Sequence, residues 1–341
     1  MTAAPVAINA RAAARREIGG VERWARELAT LLPELHPGRY RTIKPPAALA
    51  HKAGQAWEQA ALPLLARGSE LLLSPANLAP LASRKNVVVI HDAAPFHQQS
   101  WMGVVYRHLH RTVVPRVARG ARLVIVPSEF VRAELAERLG VPEERIAVIA
   151  PGVDASFSAP SDPAPTLRRL GLTKPYVLAL GTDSPRKNLT LLDAVVPKLA
   201  TEGIEVVIAG STRPYLKGGA EGVARRLGYI ADADLPALYA GAAAFAMPSL
   251  YEGFGLPCIE AMAAGTPVVA ADRAALPEAC AGAALLADPL DAESFADALL
   301  RALGPERERL TKAGRERAAG LTWRRTAGEV DRVLEPLLAS S

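Results

Sequence analysis

The segment from Gly253 to Leu256 holds the backbone groups of this sequence that are best placed to bind phosphate. Gly253 and Gly255 let the backbone approach a ligand closely, because they carry no side chain. Pro257 suits the first turn of a following helix, where its missing N–H group costs nothing. The N–H groups around Phe254, Gly255 and Leu256 would then point out of the helix N-terminus, where the helix dipole also favours an anion.

Two carboxylates flank this segment: Glu252 precedes it, and Glu260 lies in the first turns of the helix. A carboxylate repels phosphate but accepts hydrogen bonds from hydroxyl groups. The arrangement therefore indicates a ligand with hydroxyls on both sides of its phosphates, a ribose on one side and a hexose on the other. The alternative is a glycine-rich turn capped by a surface glutamate. A dinucleotide-binding loop is disfavoured, because Cys258 stands where a third glycine is expected.

Arg186 and Lys187 lie just beyond a predicted strand, in a turn that enters a helix. Two cations in this position would bind a diphosphate and stabilise the charge that develops on it as a leaving group. The alternative is an ordinary basic helix start, which the helix dipole disfavours. The two residues are therefore candidates for a catalytic role.

Short runs of β-branched residues alternate with helical segments along almost the whole chain, a pattern typical of α/β domains with parallel sheets. Strands are predicted at residues 6–9, 71–74, 86–90, 123–126 and 146–149, and again at 176–180, 205–209, 244–247, 268–270 and 284–286. Between the two sets, residues 156–165 are rich in Pro, Ser and Ala, which predicts a linker. From Asp291 to Leu338 the pattern predicts three helices and no strand.

This pattern divides the chain into two doubly wound domains, residues 1–160 and 166–320, with a C-terminal helix at 321–341 that can return to the first domain. Open parallel sheets bind ligands beyond the carboxyl ends of their strands, so a cleft between the domains is the expected site. One helix is predicted to begin after Gly19-Gly20 and to run to about Leu35. Another is predicted over 129–139, with Ser128 as its N-cap and Gly140 as its stop.

Composition narrows the class of protein. Half of the 341 residues are apolar, which supports a large buried core. The two cysteines, Cys258 and Cys280, are too few for a disulfide framework, and we expect them to be reduced and buried. Neither a signal peptide nor an apolar stretch long enough to cross a membrane is visible, so a cytoplasmic protein is expected.

Charge is unevenly distributed along the chain. Residues 1–160 carry 20 Lys and Arg against 13 Asp and Glu, whereas residues 161–341 carry 20 against 22. A basic first half attracts phosphate-bearing partners or an anionic membrane, unless it is only a solvated surface. The basic, partly amphipathic stretch from Trp101 to Arg119 fits a membrane interface or an ordinary solvated helix. Nucleic acid is disfavoured, because aromatic residues are not interleaved with the basic ones.

Longer stretches of the sequence resemble glycosyltransferase family 4. Glu252 and Glu260 have the spacing of its E-x7-E motif, within the run SLYEGFGLPCIEAMAAGTPVVAAD. Similar stretches are LGTDSPRKN at 180–188, GYIADADLPALYAGAAAFAMPS at 228–249 and LTWRRTA at 321–327. The first half resembles the family more loosely, at Gly19-Gly20, IHDAAPF at 90–96, PSEFVRAELAERLG at 127–140 and APGVD at 150–154. The PRKN form resembles a branch that contains bacterial mannosyl- and rhamnosyltransferases of surface polysaccharides.

The resemblance implies a GT-B fold, in which two Rossmann-like domains face a central cleft. It implies that Glu252 lies beside the transferred sugar and that Glu260 is a further substrate-binding residue. Many family members have an arginine directly after the first strand of the second domain, where this chain has Thr182. Either Arg186 substitutes for that arginine, or Lys187 acts alone.

The resemblance assigns further roles in donor binding. His91, which directly follows a buried strand, would lie near the reacting sugar, although a lone histidine in this position is also commonly structural. Gly19 and Gly20 would close over the distal phosphate and sugar of the donor, where the residues alone also fit a flexible loop. Tyr229 and Ile230 would contact the nucleobase through their backbone groups.

The implied reaction is transfer of a hexosyl group from a nucleotide diphosphate sugar to a hydroxyl of a saccharide or lipid-linked acceptor, with retention of anomeric configuration. GDP-mannose is favoured as the donor over dTDP-rhamnose or a UDP-sugar. No metal or other cofactor is expected, because no His, Cys, Asp or Glu cluster has metal-ligand spacing and the fold generally uses protein cations. The alternatives are a sugar-nucleotide epimerase or phosphorylase of the same fold, and a non-catalytic sugar- or nucleotide-binding subunit.

Overall fold

The computed structural model describes residues 4–15, 19–49, 53–97, 101–159, 162–210 and 222–339, which form two parallel β-sheets. The first sheet contains β1 (Val6–Asn9), β2 (Tyr40–Ile43), β3 (Leu71–Ser74), β4 (Asn86–Val89), β5 (Leu123–Val126) and β6 (Ile146–Val148). The second contains β7 (Tyr176–Leu180), β8 (Glu205–Ala209), β9 (Arg225–Gly228), β10 (Ala244–Met247), β11 (Val268–Ala271) and β12 (Leu285–Ala287). The prediction of two doubly wound α/β sheets is confirmed.

Helices connect the strands. Along the first part of the chain they are α1 (Gly20–Leu35), α2 (Gly54–Ala60), α3 (Leu62–Leu65), α4 (Val104–Gly120) and α5 (Glu129–Leu139). They continue as α6 (Ala155–Ser158), α7 (Ala164–Arg169), α8 (Thr190–Ala200), α9 (Leu235–Ala240), α10 (Leu256–Ala263) and α11 (Leu276–Cys280). The last three are α12 (Ala292–Leu303), α13 (Arg307–Ala319) and α14 (Trp323–Ala339).

Each sheet has one point at which the order of the strands reverses. The first sheet has the order β2-β1-β3-β4-β5-β6, and the second has β12-β11-β10-β7-β8-β9. The reversals therefore lie between β1 and β3 and between β7 and β10. At such a switch point the chain leaves neighbouring strands toward opposite faces of the sheet, which opens a crevice beyond their carboxyl ends.

Both faces of the first sheet are covered by helices, as β4 illustrates. Val87 and Val89 belong to the cluster that contains α1 and α14, whereas Val88 belongs to the cluster that contains α4 and α5. Successive residues of a strand point to opposite faces, so a sheet buried on both sides needs an uninterrupted apolar run. The Asn-Val-Val-Val sequence of β4 supplies that run.

The C-terminal helix α14 packs against α1. The rings of Trp24 and Trp323 meet edge to face with centroids 5.8 Å apart. The carboxylate of Asp331 accepts hydrogen bonds from Arg39 at 2.9 Å and from the Tyr40 hydroxyl at 2.5 Å. The last helix is therefore fixed to the first sheet by both apolar packing and buried polar contacts.

The chain divides into two compact units. The first takes the residues up to Phe96, those from Arg107 to Gly152, and those from Trp323 onward; the second takes His97–Tyr106 and Val153–Thr322. In the second unit, Val177 and Ala179 of β7 share a core cluster with Leu192 of α8 and Phe295 of α12. Both cysteines are reduced and buried, as predicted.

The predicted linker at 156–165 contains helical turns, so the prediction of irregular structure there is wrong. Asp154 caps α6 by accepting a hydrogen bond from the Ser156 N–H group at 2.8 Å. Asp162 accepts one from Ala164 at 3.0 Å at the entry to α7. Local capping by the two aspartates outweighs the poor helix propensity of the segment. Residues 160 and 161 lie outside the described part of the chain.

The predicted helix start at Ser128 is confirmed. Its hydroxyl accepts a hydrogen bond from the Val131 N–H group at 3.2 Å, and Gly140 ends α5 with φ of +62°. Among the described residues, we find no helix with the length and apolar character needed to cross a lipid bilayer.

Candidate active site

The switch point between β7 and β10 brings together two connections that carry predicted site residues. After β7 the chain passes through Thr182 to a 3₁₀ turn at Pro185–Lys187. After β10 it forms the loop 248–255 and enters α10. The Leu250 N–H group of this loop donates to the Arg186 carbonyl of the turn at 2.8 Å. The sheet topology therefore places the turn and the loop side by side.

Glu252 is the centre of a buried ion-pair cluster. Its Oε1 accepts a hydrogen bond from Lys187 Nζ at 2.8 Å, and its Oε2 accepts one from Arg186 Nη1 at 3.3 Å. The side chains of Glu252, Lys187 and Arg186 are 10%, 11% and 18% exposed. Arg186 also donates to the Tyr251 carbonyl at 2.9 Å. The structure thus brings three of the predicted catalytic residues into direct contact.

The two cations determine the ionisation of Glu252. Burial raises the pKa of Glu252, but the charges of Lys187 and Arg186 outweigh burial and lower that pKa to about 2. The carboxylate is therefore ionised throughout the physiological range and accepts hydrogen bonds only. Lys187 carries three N–H donors, so it can bind Glu252 and an anionic ligand at the same time.

The helix start predicted after the glycine-rich segment is present. Gly255 is the N-cap of α10, and Leu256 and Pro257 are its first two residues. Gly255 has φ of +105°, and a Cβ at this position would lie 2.6 Å from Leu276 Cδ2. Backbone conformation and space therefore both require glycine here. Gly253 and Phe254 are buried beside it.

Glu260 is buried in the middle of α10, where its Oε2 accepts a hydrogen bond from the Tyr239 hydroxyl at 2.9 Å. The sequence predicted Glu260 as a ligand-binding residue but gave no indication of Tyr239. Tyr239 lies on α9, so the hydrogen bond joins two helices that are separated in the chain by β10.

Tyr251, the neighbour of Glu252, lies in an aromatic cluster within the second unit. Its ring centroid is 4.6 Å from that of His97 and 5.6 Å from that of Trp101, and His97 stacks on Trp101 at 5.4 Å. Tyr251 and Trp101 are buried. The three rings therefore pack together around the residue that precedes Glu252.

Three further predicted substrate-binding residues follow strands of the second sheet. Thr182 is half-buried after β7, in the connection that leads to Lys187. Tyr229 and Ile230 follow β9, and Tyr229 is exposed whereas Ile230 is buried. Because β8 lies between β7 and β9, the structure places Tyr229 and Ile230 two strands from the charged cluster.

His91, in the first unit, follows β4. Its backbone N–H group donates to Asn77 Oδ1 at 2.8 Å, and its Nε2 is 2.9 Å from the Pro75 carbonyl. A carbonyl only accepts, so Nε2 carries the proton and Nδ1 the lone pair. Burial lowers the pKa of His91, which keeps the imidazole neutral. The ring of Trp24 packs edge to face against the His91 ring, with centroids 5.3 Å apart.

Gly19 and Gly20 form the start of α1, as predicted. Gly19 is the N-cap, and its N–H group donates to Glu22 Oε2 at 3.0 Å. The other oxygen of Glu22 pairs with Arg15 at 3.0 Å. The helix start is therefore stabilised by a buried carboxylate in its first turn.

A second buried ion pair, which the sequence did not predict, lies at the switch point between β1 and β3. Arg11 Nε donates to Glu58 Oε2 at 2.6 Å, and the two side chains are 5% and 1% exposed. Asn9, the last residue of β1, donates to the same oxygen at 2.9 Å and to the Ser74 hydroxyl of β3 at 3.3 Å. This network joins the ends of two neighbouring strands to α2.

Among the side chains that the structure describes, no group of three or more His, Cys, Asp or Glu residues is arranged to hold a metal ion. The positive charges at the second switch point come from Lys187 and Arg186.

Sequence reasoning missed several contacts that connect the site to remote parts of the chain. Asn188 has φ of +52°, and its side chain donates to the Pro248 carbonyl at 3.2 Å and to the Pro289 carbonyl at 2.7 Å. The Asn that ends the PRKN stretch could have indicated a left-handed turn residue, since Asn tolerates that conformation. The hydrogen bond from Tyr239 and the stacking of Trp101 have no local sequence pattern.

Comparison with known proteins relates this site to a family. Residues 174–304 match the model described as Glycosyl transferases group 1, and residues 68–157 match Glycosyltransferase Family 4. The chain is 32% identical over 265 residues to the O-antigen chain mannosyltransferase B of Escherichia coli, over 72% of this chain and 68% of that protein. It is 30% identical over 297 residues to the GDP-mannose-dependent alpha-(1-6)-phosphatidylinositol monomannoside mannosyltransferase of Mycobacterium tuberculosis (strain CDC 1551 / Oshkosh), over 80% and 71% of the two chains.

Solved structures share the architecture. Sucrose-phosphate synthase from Thermosynechococcus elongatus superimposes with a TM-score of 0.74 at 22% identity, over 99% of this chain and 100% of that one. The two parallel six-stranded sheets have the GT-B fold. The chain belongs to glycosyltransferase family 4.

Proposed function

We propose that this enzyme transfers a hexosyl group from a nucleoside diphosphate sugar to a hydroxyl of a saccharide or lipid-linked acceptor, with retention of anomeric configuration. The observation that carries the proposal is the contact of Glu252 with Lys187 and Arg186 at the switch point beside α10. GDP-mannose is the favoured donor, since both relatives are named mannosyltransferases and one is named GDP-mannose-dependent. dTDP-rhamnose and UDP-sugars are the competing donors.

In this proposal Glu252 binds the hydroxyls of the transferred sugar. Its two oxygens accept hydrogen bonds from Lys187 and Arg186, which leaves the carboxylate a weak base and a weak nucleophile. We therefore infer a front-side displacement. The acceptor oxygen forms its bond to the anomeric carbon on the face from which the diphosphate departs, and the departing phosphate oxygen takes the acceptor proton.

Lys187 and Arg186 stabilise the negative charge of the diphosphate as it leaves. Two cations against one carboxylate give the cluster an excess of one positive charge, which favours an anionic ligand. On this proposal the reaction needs no metal ion, so transfer should continue in excess EDTA. Activity that disappears with the chelator and returns with magnesium or manganese would contradict it.

The donor and the stereochemistry can be tested together. Saturation-transfer NMR with GDP-mannose, dTDP-rhamnose and UDP-glucose identifies the bound donor, and the anomeric coupling of the product reports retention or inversion. We expect binding of GDP-mannose and a product with the anomeric configuration of the donor. Binding of none of the three would overturn the proposed function, and an inverted product would overturn retention.

We propose further that α4 docks the enzyme on an anionic membrane that carries a lipid-linked acceptor, at the inner face of the cell membrane. Val104 and Val105, at the start of α4, are 68% and 84% exposed. Of the arginines in this stretch, Arg107 and Arg122 are half-buried, and Arg111, Arg116 and Arg119 are exposed. Each cation near an anionic surface contributes about 1 kcal/mol, which salt screens.

Vesicle co-sedimentation tests the docking proposal. We expect binding to vesicles that contain phosphatidylglycerol, weaker binding at high salt, and weaker binding of a Val104→Ser, Val105→Ser variant. Val223→Ser is the matched control, because Val223 is 75% exposed and lies outside α4. Failure to bind anionic vesicles at low salt would show that the basic charges do not dock the enzyme on a membrane.

A further inference from the structure

The hydrogen bond between Tyr239 and Glu260 joins two helices at a buried position. The Tyr239 hydroxyl donates to Glu260 Oε2 at 2.9 Å, and both side chains are buried. Tyr239 lies on α9 and Glu260 on α10. The bond therefore fixes the carboxylate relative to a second element, in addition to its own helix.

The Tyr239 side chain has little freedom to move. Its ring centroid is 5.3 Å from that of Phe245 and 5.7 Å from that of Phe157. The Thr266 hydroxyl donates to the Tyr239 backbone carbonyl at 2.6 Å, which also fixes the main chain at this residue. Close packing determines where the phenol hydroxyl lies, and the hydroxyl in turn restrains Oε2 of the carboxylate.

We propose that Tyr239 is a positioning residue that orients the Glu260 carboxylate toward the ribose hydroxyls of the donor nucleotide. The inference rests on the proposed function, since it requires a nucleoside diphosphate as the ligand. A carboxylate has about four acceptor sites on its two oxygens, and Tyr239 occupies one of those on Oε2. Held in one plane, the carboxylate can accept from two adjacent hydroxyls with a defined geometry.

Removing the hydroxyl alone separates positioning from packing. Tyr239→Phe keeps the ring and its contacts with Phe245 and Phe157 but deletes the donor. Tyr176→Phe is the matched control: Tyr176 is also buried in the second unit, and its hydroxyl donates to the Leu238 carbonyl at 2.6 Å. Both variants lose one buried hydrogen bond, but only Tyr239→Phe loses a bond to a carboxylate.

The experiment is a calorimetric titration of the full chain with GDP and with 2′,3′-dideoxy-GDP, repeated with the corresponding uridine nucleotides. We expect the wild type to bind the ribonucleotide more tightly than the dideoxy nucleotide. In Tyr239→Phe the ratio of the two affinities should fall about tenfold, because the ribonucleotide binds more weakly. Affinity for the dideoxy nucleotide should not change. Tyr176→Phe should keep the wild-type preference. In the transfer assay, Tyr239→Phe should raise the KM for the donor and leave kcat within about twofold.

Other results would overturn the inference. A Tyr239→Phe variant with the wild-type preference would show that the hydroxyl does not act on the ribose. Equal weakening of both nucleotides would show a purely structural role, as would an equal effect of Tyr176→Phe. A wild-type enzyme that binds nucleoside diphosphates without preferring ribose would overturn this inference alone. A wild-type enzyme that binds neither GDP nor UDP would overturn the proposed function and the inference with it.

Discussion

Each sheet places a buried cation–carboxylate pair at its switch point, and the two pairs differ in charge balance and in access to solvent. In the first unit Arg11 pairs with Glu58, one cation with one carboxylate, and almost no surface of either side chain is exposed. In the second unit Glu252 pairs with both Lys187 and Arg186, which are partly exposed. The second pair also adjoins a glycine-containing loop and the N-terminus of α10.

On the proposed function, this difference distinguishes a structural ion pair from a ligand-binding one. The Arg11–Glu58 pair is neutral overall, and with Asn9 and Ser74 it holds the ends of β1 and β3 together. The Glu252 cluster carries an excess positive charge, and its Arg186 side chain is 18% exposed. A buried ion pair at a switch point is therefore insufficient to indicate function; the excess charge and the exposure decide.

The largest effect should follow from breaking either pair. Arg11→Met leaves Glu58 as a buried charge with its cation removed, and we expect a loss of about 3–5 kcal/mol of unfolding free energy. Lys187→Met should cost less, because Glu252 keeps Arg186. Urea unfolding measures both variants, and transfer assays below the melting temperature should show activity in Arg11→Met and not in Lys187→Met. Activity lost equally in both variants would contradict the distinction drawn between the pairs.

The next effect concerns the charge of Glu252. Glu252→Gln keeps the shape of the side chain but removes the charge that we propose binds the sugar hydroxyls, so we expect kcat to fall by about 10²–10³-fold. Calorimetry should show that a nucleoside diphosphate binds at least as tightly as in the wild type, because Lys187 and Arg186 lose their countercharge. A large loss of diphosphate affinity would show that Glu252 acts on the phosphates.

The ion pairs of Glu252 should also make the free energy of unfolding depend on pH. The ordinary pKa of a glutamate, 4.5, falls to about 2 for folded Glu252. The lowered pKa contributes about 3 kcal/mol, fully present above pH 4.5 and lost progressively as the pH falls toward 2. Urea unfolding of the wild type and of Glu252→Gln between pH 6 and 3.5 measures the difference. The wild type should lose about 1.4 kcal/mol of this advantage by pH 3.5 and the remainder only at lower pH, and a constant difference would contradict the assignment.

The smallest effect on activity is expected from His91, the neutral histidine in the first unit. His91 offers a hydrogen bond through uncharged Nδ1, and such a bond is worth about 0.5–1.5 kcal/mol, so His91→Asn should reduce kcat by about 2- to 10-fold. Because burial lowers its pKa below the ordinary value of 6.5, His91 should not appear as a titration step in the rate between pH 6.5 and 8. A loss greater than a hundredfold would identify His91 as a proton acceptor in the reaction.

Most of the features that could be predicted depend on residues that are close together in the sequence. The glycine loop, Pro257 and α10 form a local unit, so their pattern alone predicted a helix N-terminus next to Glu252. Apolar runs such as that of β4 likewise predicted the interior strands. Two of the four edge strands, β2 and β9, were missed, because their sequences, Tyr-Arg-Thr-Ile and Arg-Arg-Leu-Gly, contain no apolar run.

The partners of the site residues could not be predicted, because they come from distant segments. Lys187 and Glu252 were both predicted to act, but their direct contact depends on β7 and β10 being neighbours in the sheet. Tyr239 follows Phe157 by a long stretch of chain and still packs against it. Such contacts are fixed by the order of strands and the packing of helices, which local periodicity does not specify.

The parallel bridge between Val153 and Thr322 has a consequence for how such enzymes can evolve. The segment between these residues enters and leaves at one place, where the Val153 N–H group donates to the Leu321 carbonyl at 2.9 Å. A segment with adjacent ends can be exchanged between homologous genes by recombination, as inserted domains commonly are. The exchange would not be fully modular, because His97 and Trp101 lie outside it and pack on Tyr251. A recombinant enzyme would therefore need compatible aromatic residues from both parents beside its carboxylate.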